Sequence, residues 1–471
     1  MNGLPNELLI QIASHLDGAP PSIRKFTHEP SADLTYSVDA PLKDLSRVSW
    51  KWRKIVLPIL FRYSRVELDN DPQWVPIDAN LIEAMQCQLS KLSDHEFQIY
   101  QKMRSKFKSN STFRLGQAFD DPLINLCRLQ QGDNFLKFVP NILWIPHLSF
   151  AEFGRFVARH NLKHHIKSLV VFTQKEYELR HVAAADALLG RQIFSVWSQI
   201  FSGLEPTRLV VAAPPASLAA LLDTQMLSAD AWAFDMKLHY IELQYEPSQL
   251  DHMRTSDCRP WNLALIHRRP WTYLGYNEGS SITAFSVYEY HLKQSPKMLY
   301  LILVRLAKEV QDCCNIRSFS FHGVFPFGTN VTIIVRALQK LKTLRKIQVQ
   351  LAPGPENSLL SSPKRIGRAQ PRDLWLEWNE SYKVITGYLG LMEFEDGSEF
   401  ISKDCNETGL AGEVDEHMQA LQKRGSGWRK EGNHRWVRDS TLDQNAPSLT
   451  ELSNNGMRQF SWWRKYLDSY N

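Results

Sequence analysis

The stretch LPNELLIQIASHL, residues 4–16, places Leu8, Leu9, Ile12 and Leu16 at offsets of one, four and eight. That spacing puts the four on one side of an α-helix. Pro5 suits a first turn, where its missing N–H costs nothing. Glu7 falls near the positive end of the helix dipole, a favourable place for a carboxylate. A second apolar cluster, PLKDLSRVSWKWRKIVLPILF, spans residues 41–61. Pro41 marks another helix start, and Leu42, Leu45 and Val48 keep a three-residue spacing that Trp52, Ile55 and Val56 extend. Pro58 predicts a break or kink near residue 57. Helices this short bury little surface alone, since a core of under about 70 residues supplies only roughly 3–5 kcal/mol. A partner or the rest of the chain must cover what they leave exposed.

Taken in order, Leu4, Pro5, Glu7, Leu8, Leu9, Ile12 and Leu16, then Leu42, Leu45, Val48, Ser49, Trp52 and Arg53, resemble the two halves of an F-box. The match to L-P-x-E-L-L and L-x-x-L-x-x-V-S-x-x-W-R lies within residues 1–61 of the chain. The resemblance implies a three-helix module that docks on the Skp-type adaptor of a cullin–RING (SCF-type) ubiquitin ligase. It implies adaptor-binding roles for Leu4, Pro5, Leu8, Leu9, Ile12, Leu16, Leu42, Leu45, Val48 and Trp52. It also implies that the rest of the chain holds a protein substrate. The ligase chemistry would then reside in other subunits, so no catalytic residue, cofactor or metal is expected. The sequence departs from the family between the halves, where Gly18 to Ala40 is inserted with Pro20, Pro21 and Pro30. An exposed loop is expected there, because each doubling of loop length costs only about 0.6 kcal/mol.

The chain has 471 residues, enough for two to four domains, and at 43% hydrophobic residues it has ample core material. Lys+Arg number 55 and Asp+Glu 50, a net +5 too dilute for the basic stripe of a nucleic-acid binder. The cysteines, Cys87, Cys127, Cys258, Cys313, Cys314 and Cys405, form no CxxC pair, which fits a reduced compartment. The N-terminus lacks a basic, then apolar, leader pattern, and no run reaches the roughly 18 apolar residues of a membrane span. An intracellular protein, cytoplasmic or nuclear, with no membrane partner is the expectation.

Beyond residue 146 the pattern changes. Short runs rich in β-branched and aromatic residues occupy Ile166–Phe172, Thr207–Ala213, Leu238–Tyr245, Ser281–Tyr290, Ile316–Gly323 and Leu344–Leu351. Helical stretches separate several of them, notably Lys297–Gln311 and Thr332–Leu341. Strand followed by helix, repeated, predicts an irregular α/β solenoid of parallel strands, similar to a degenerate leucine-rich repeat. The segment RRPWTYLGYNEGSSITAFSVYEYH from Arg268 is similar to segments of fungal F-box proteins. The expected fold is thus a mixture of α and β structure, a helical F-box followed by an α/β repeat-like domain. The competing architecture is an irregular α/β domain with an open sheet. The expected division is F-box 1–61, helical connection 62–146 with a helix over Ile82–Phe107, repeat-like domain 147–352, linker 353–372 and a partly mobile extension 373–471. Alternation along the strands makes Ser168, Glu242, Ser286, Ser320 and Gln348 candidates for an exposed substrate-binding face.

Other chemistry weighs less. His160, His164 and His165 in HNLKHH lack a further ligand for zinc, and Asn161 disfavours one continuous helix. There is no P-loop, GxSxG or HExxH pattern, and GYNEGSS at Gly275–Ser281 reads as a turn. Trp261, Trp271, Tyr273 and Tyr276 beside Arg259, Arg268 and Arg269 suit either a core or an interface. Two alternatives stay open: an F-box scaffold without a role in ubiquitination, and an enzyme with an unrecognised site in the large domain.

Overall fold

The computed structural model describes residues 4–68, 75–76, 142–143, 150–174, 183–224, 233–234, 237–246, 265–309, 315–354, 357 and 366–443. The helix expected over Ile82–Phe107 lies outside the described residues, as do Trp261 and every cysteine except Cys405. The chain divides into two compact units that do not follow the linear boundaries expected from the sequence. One comprises residues 1–20, 35–225 and 257–268; the other comprises 21–34, 226–256 and 269–471.

The first unit opens with α1 (Asn6–His15), α2 (Pro41–Val48) and α3 (Trp50–Leu60). Pro41 starts α2, where no backbone N–H is needed. Ser49 separates α2 from α3 with an extended backbone, and its hydroxyl accepts from the Trp52 N–H at 3.3 Å. Pro58 does not break α3, which continues to Leu60. Its missing N–H removes one hydrogen bond to the residue four before it, and the helix runs two residues past it. Strands β1 (Tyr63–Glu67), β2 (Ser168–Phe172) and β3 (Arg208–Ala213) then pair in parallel. Around them in sequence come α4 (Phe150–Arg159), α5 (Ala183–Gly203) and α6 (Pro215–Leu221). Every residue of β2 and β3 is buried, the pattern of parallel strands covered on both faces.

The second unit is a mixed sheet. Its strands are β4 (His239–Gln244), β5 (Tyr273–Ser280), β6 (Ser318–Val324), β7 (Lys346–Gln350), β8 (Glu399–Ser402), β9 (Trp428–Lys430) and β10 (Arg435–Arg438). They lie in the order β4-β5-β6-β7-β8-β10-β9. β5 through β8 are parallel, whereas β4 is antiparallel to β5, and β10 is antiparallel to both β8 and β9. Between strands run α7 (Met298–Glu309), α8 (Gly328–Leu338), α9 (Pro371–Leu389) and α10 (Thr408–Lys423).

Five of the six expected strands are present within two residues of their expected limits. The sixth is corrected. Ser281–Tyr290 forms a short helix, Ile282–Phe285, and a turn, while the strand is the preceding Tyr273–Ser280. With two glycines, an asparagine and a glutamate that strand has weak local propensity, and ladders on both sides impose it. The uniformly parallel solenoid is corrected as well, at the antiparallel pairing of β4 with β5. Within the stretch expected as a partly mobile extension, α9, β8, α10, β9 and β10 belong to the unit, down to Asp443.

Register sorts the sheet's two faces. Ile241, Tyr276, Phe321 and Val349 align across β4 to β7, as do Phe319, Ile347 and Phe400 across β6 to β8. Ser402 shares that apolar face, and the Tyr382 hydroxyl of α9 meets its Oγ at 2.7 Å, so α9 lies on this side. The opposite face is polar: Tyr240, Asn277, His322 and Gln350 form one row, and Glu242, Gly275, Ser320 and Gln348 another.

That polar face is covered in part by residues 21–34, the insertion between the two halves of the motif. The exposed loop expected there is corrected. Ser22, Phe26 and Leu34 are buried, and Phe26 packs against the rings of Tyr240 and His322, each 6.0 Å away. The Tyr240 hydroxyl donates to the Ser31 carbonyl at 2.7 Å, and Asn277 donates to the carbonyls of Phe26 and His28. Gly279 has φ +76°, and a Cβ there would stand 3.2 Å from Pro30. A side chain would be strained and would press on the docked segment. The sequence shows prolines, charges and few apolar residues here, and of those few Phe26 and Leu34 are buried while Ile23, Tyr36 and Val38 stay exposed.

Candidate docking face and cleft

Helices α1 to α3 enclose a small core of Leu9, Ala13, Leu42, Trp52, Val56 and Ile59. Leu4, Leu45, Ile55 and Leu60 pack against it partly buried. The Lys51 ammonium donates to the Leu4 carbonyl at 2.9 Å, which ties the start of α3 to the start of the motif. Of the ten residues expected to contact an adaptor, Leu9, Leu42 and Trp52 are therefore interior and can only support a docking face. Pro5, Leu8, Ile12, Leu16 and Val48 are exposed. Leu8 is 45% and Ile12 43% accessible; one helical turn apart, they form an apolar row with Leu16 along α1. Trp50, absent from the expected set, is 83% accessible at the first position of α3. Periodicity could not single it out, because it flanks the Ser49 cap rather than continuing the helical stripe.

The five residues expected to expose a substrate face fare differently. Ser168, Glu242 and Ser320 are buried, while Ser286 and Gln348 are half-buried. Ser168 Oγ accepts from Arg208 Nη1 at 3.0 Å inside the first unit. In the second unit Ser320 Oγ meets His322 Nε2 at 2.8 Å and accepts from Gln348 Nε2 at 3.2 Å. His322 Nδ1 lies 3.3 Å from Gln350 Oε1. Ser320, His322, Gln348 and Gln350 thus satisfy one another, as buried polar groups must. Burial holds the His322 imidazole down to about 4, so it stays neutral at ordinary pH. Ser286 is off the strands altogether, following the short helix at Ile282–Phe285.

Besides Glu242, the carboxylates of Asp404 and Glu278 lie inside the second unit. Asp404 accepts from the backbone N–H groups of Leu351 and Ala352, from the Trp378 indole and from the Tyr382 hydroxyl, at 2.7–3.1 Å. Burial raises its pKa even so, with those four donors pulling the other way. Glu278 on β5 has one side-chain donor, Asn330 Nδ2, at 3.1 and 3.3 Å from its two oxygens. Burial pushes its pKa up to about 8. Gly323 makes room for it, since a Cβ there would fall 2.9 Å from Oε1.

A cleft of about 530 Å3 opens in the second unit. One wall is the docked segment from Lys25 to Asp33. Another is the end of β7 and the loop after it, with Gln350 and Gly354. A third is the turn from Lys403 to Glu407 that leads into α10. No sequence signal marked this cleft, because its walls come from three distant stretches.

The histidines of HNLKHH do not share a helix face, since α4 ends at Arg159 and Asn161 takes φ +51°. Among the described residues no group of three His, Cys, Asp or Glu is placed to hold a metal ion. Among them, too, no helix is long and apolar enough to cross a membrane. No family model matches the chain, and neither a curated protein nor a solved structure matches it.

Proposed function

We propose that this chain is a non-catalytic, F-box-type receptor that couples a protein substrate to the Skp-type adaptor of a cullin–RING ubiquitin ligase. The observation that carries the reading is the division of labour in the first motif: Leu9 faces a core shared with Leu42 and Trp52, while Leu8, Ile12 and Leu16 stay exposed. A helix that only served its own domain would bury that row. Each large side chain buried by a partner contributes about 1.5–3 kcal/mol, enough for the row to anchor a complex. The receptor then acts by proximity, raising the local concentration of substrate lysines near a charged ubiquitin carrier. No residue of this chain needs to take part in the transfer.

The test is a titration of the purified chain with purified Skp-type adaptor, followed by the same titration with a Leu8→Asp, Ile12→Asp variant. Saturable binding by the parent chain and its loss in the folded variant support the reading. No binding by the parent chain removes it. Capture of adaptor without cullin would favour the scaffold reading instead.

A further inference from the structure

We propose that residues 21–34 occupy, in cis, a peptide-binding site on the polar face of the second unit's sheet, and that a linear peptide with an aromatic residue four positions before a proline displaces them. This goes beyond the receptor reading and does not depend on it. The present occupant defines the site. Asn277 donates to the Phe26 and His28 carbonyls, at 2.6 and 2.8 Å. Tyr240 holds Ser31 at both backbone groups: its hydroxyl donates to the Ser31 carbonyl at 2.7 Å and accepts from the Ser31 N–H at 2.5 Å. All four bonds are made to main chain, which every peptide carries. Two side chains supply selection. The Phe26 ring lies against Tyr240 and His322, and Pro30 stands over Gly279, where no Cβ intervenes. Main-chain hydrogen bonds for affinity, with places for chosen side chains, are how folded domains take up linear peptides.

The occupant is only lightly held. Of residues 21–34, Ser22, Phe26 and Leu34 alone are buried. The segment has short helical turns at Pro21–Arg24 and Ala32–Thr35 and contributes no strand to the sheet. A segment with so few buried contacts and no ladder opens at less cost than the strands beneath it. Its outer side also borders open space, since Lys25, Thr27, His28 and Asp33 line the cleft of about 530 Å3. Gln350 lines the same cleft and continues the sheet row of Tyr240, Asn277 and His322. A peptide entering the cleft therefore meets the end of that row before the segment has left it. Its apparent affinity is the intrinsic one reduced by the fraction of molecules in which the segment is open.

The experiment uses the full-length chain and a fluorescent synthetic peptide of residues 22–34. Saturable binding is expected by anisotropy, weakened at least about tenfold when the peptide carries Phe26→Ala and measurably when it carries Pro30→Ala. A folded chain with Phe26→Ala holds its own segment less tightly, so it should bind the unaltered peptide about tenfold more tightly than the parent chain does. Hydrogen exchange of the parent chain alone gives a further readout. The amides of Lys25 and Ser31, bonded to the Pro21 carbonyl and the Tyr240 hydroxyl, should exchange at least about tenfold faster than those of β5 and β6. No binding by the parent chain, equal binding of the Phe26→Ala peptide, no tighter binding by the folded Phe26→Ala chain, or exchange of Lys25 and Ser31 as slow as that of β5 and β6 would each overturn the proposal. The altered peptides and the exchange measurement use the parent chain, so a folding defect in the variant does not blunt the test.

Discussion

Asn277 donates its side-chain amide to the Phe26 carbonyl at 2.6 Å, joining residues 251 apart in sequence. The same amide serves His28 at 2.8 Å, and Phe26 is buried against Tyr240 and His322. An insertion that reads as a surface loop is thereby part of the second unit. Asn277→Ala is expected to cost about 1–3 kcal/mol, because two carbonyls lose their donor. Replacing residues 18–40 by a six-residue Gly/Ser linker should destabilise the unit further, by also stripping Phe26 and Leu34 from it. Urea unfolding measures both; an unchanged midpoint for the linker variant would show that the segment is dispensable.

The exposed and interior residues of the N-terminal module should separate under mutation. Trp52→Ala is expected to cost about 3–5 kcal/mol of stability, as for other large-to-small changes in a core. Leu8→Asp and Ile12→Asp, on exposed positions, should change stability by no more than about 0.5 kcal/mol. They should nonetheless weaken adaptor binding more than tenfold. Thermal unfolding beside adaptor titration gives the two readouts, and a large loss of melting temperature in Leu8→Asp would contradict the assignment of Leu8 to the surface.

Glu278 predicts a pH dependence of definite sign. Its folded pKa of about 8 lies above the 4.5 of an unperturbed glutamate, so between those values the folded chain holds a proton that the unfolded chain releases. Its contribution to stability is full below about pH 4.5 and is lost as pH rises towards 8. Glu278→Gln keeps the hydrogen bond with Asn330 and removes the titration. The variant should gain stability over the parent progressively across that window, by on the order of a few kcal/mol. A parent-to-variant difference that does not change with pH in chemical denaturation would refute this.

His322 runs the other way. Its folded pKa of about 4 lies below the 6.5 of an unperturbed histidine, so the unfolded chain takes up the proton first as pH falls. Stability from the neutral, buried ring is therefore present above about pH 6.5 and lost on acidification towards 4. His322→Gln should flatten that limb of the curve even if it lowers stability at neutral pH by disturbing Ser320 and Gln350. NMR titration of the ring is the direct check, and a transition near 6.5 in the folded chain would contradict it.

Local sequence by itself determined the elements whose signals are local. Pro41 and Ser49 start two helices because a missing N–H and a capping hydroxyl act within one turn. Asn161 ends α4 before HNLKHH can continue it, because asparagine tolerates the left-handed backbone. Runs such as SLVVF and RLVVAA announced strands because both of their faces are buried. Tertiary structure decided the rest. Alternation assigned Ser320 and Glu242 to a face but could not say what covers that face, and both are buried. Tyr273–Ser280 became a strand because neighbouring ladders outweigh its weak propensity, and β4 joined it antiparallel, a choice that no local pattern encodes. The helical period grouped Leu8 with Leu9, yet only the packing of α1 against Leu42 and Trp52 separated an outward row from an inward one. The cleft had no sequence signature at all, since Asp33 and Glu407 meet it from segments that lie 374 positions apart in the chain. Propensity and capping act over a few residues, whereas burial and pairing depend on which distant segments the folded chain brings together.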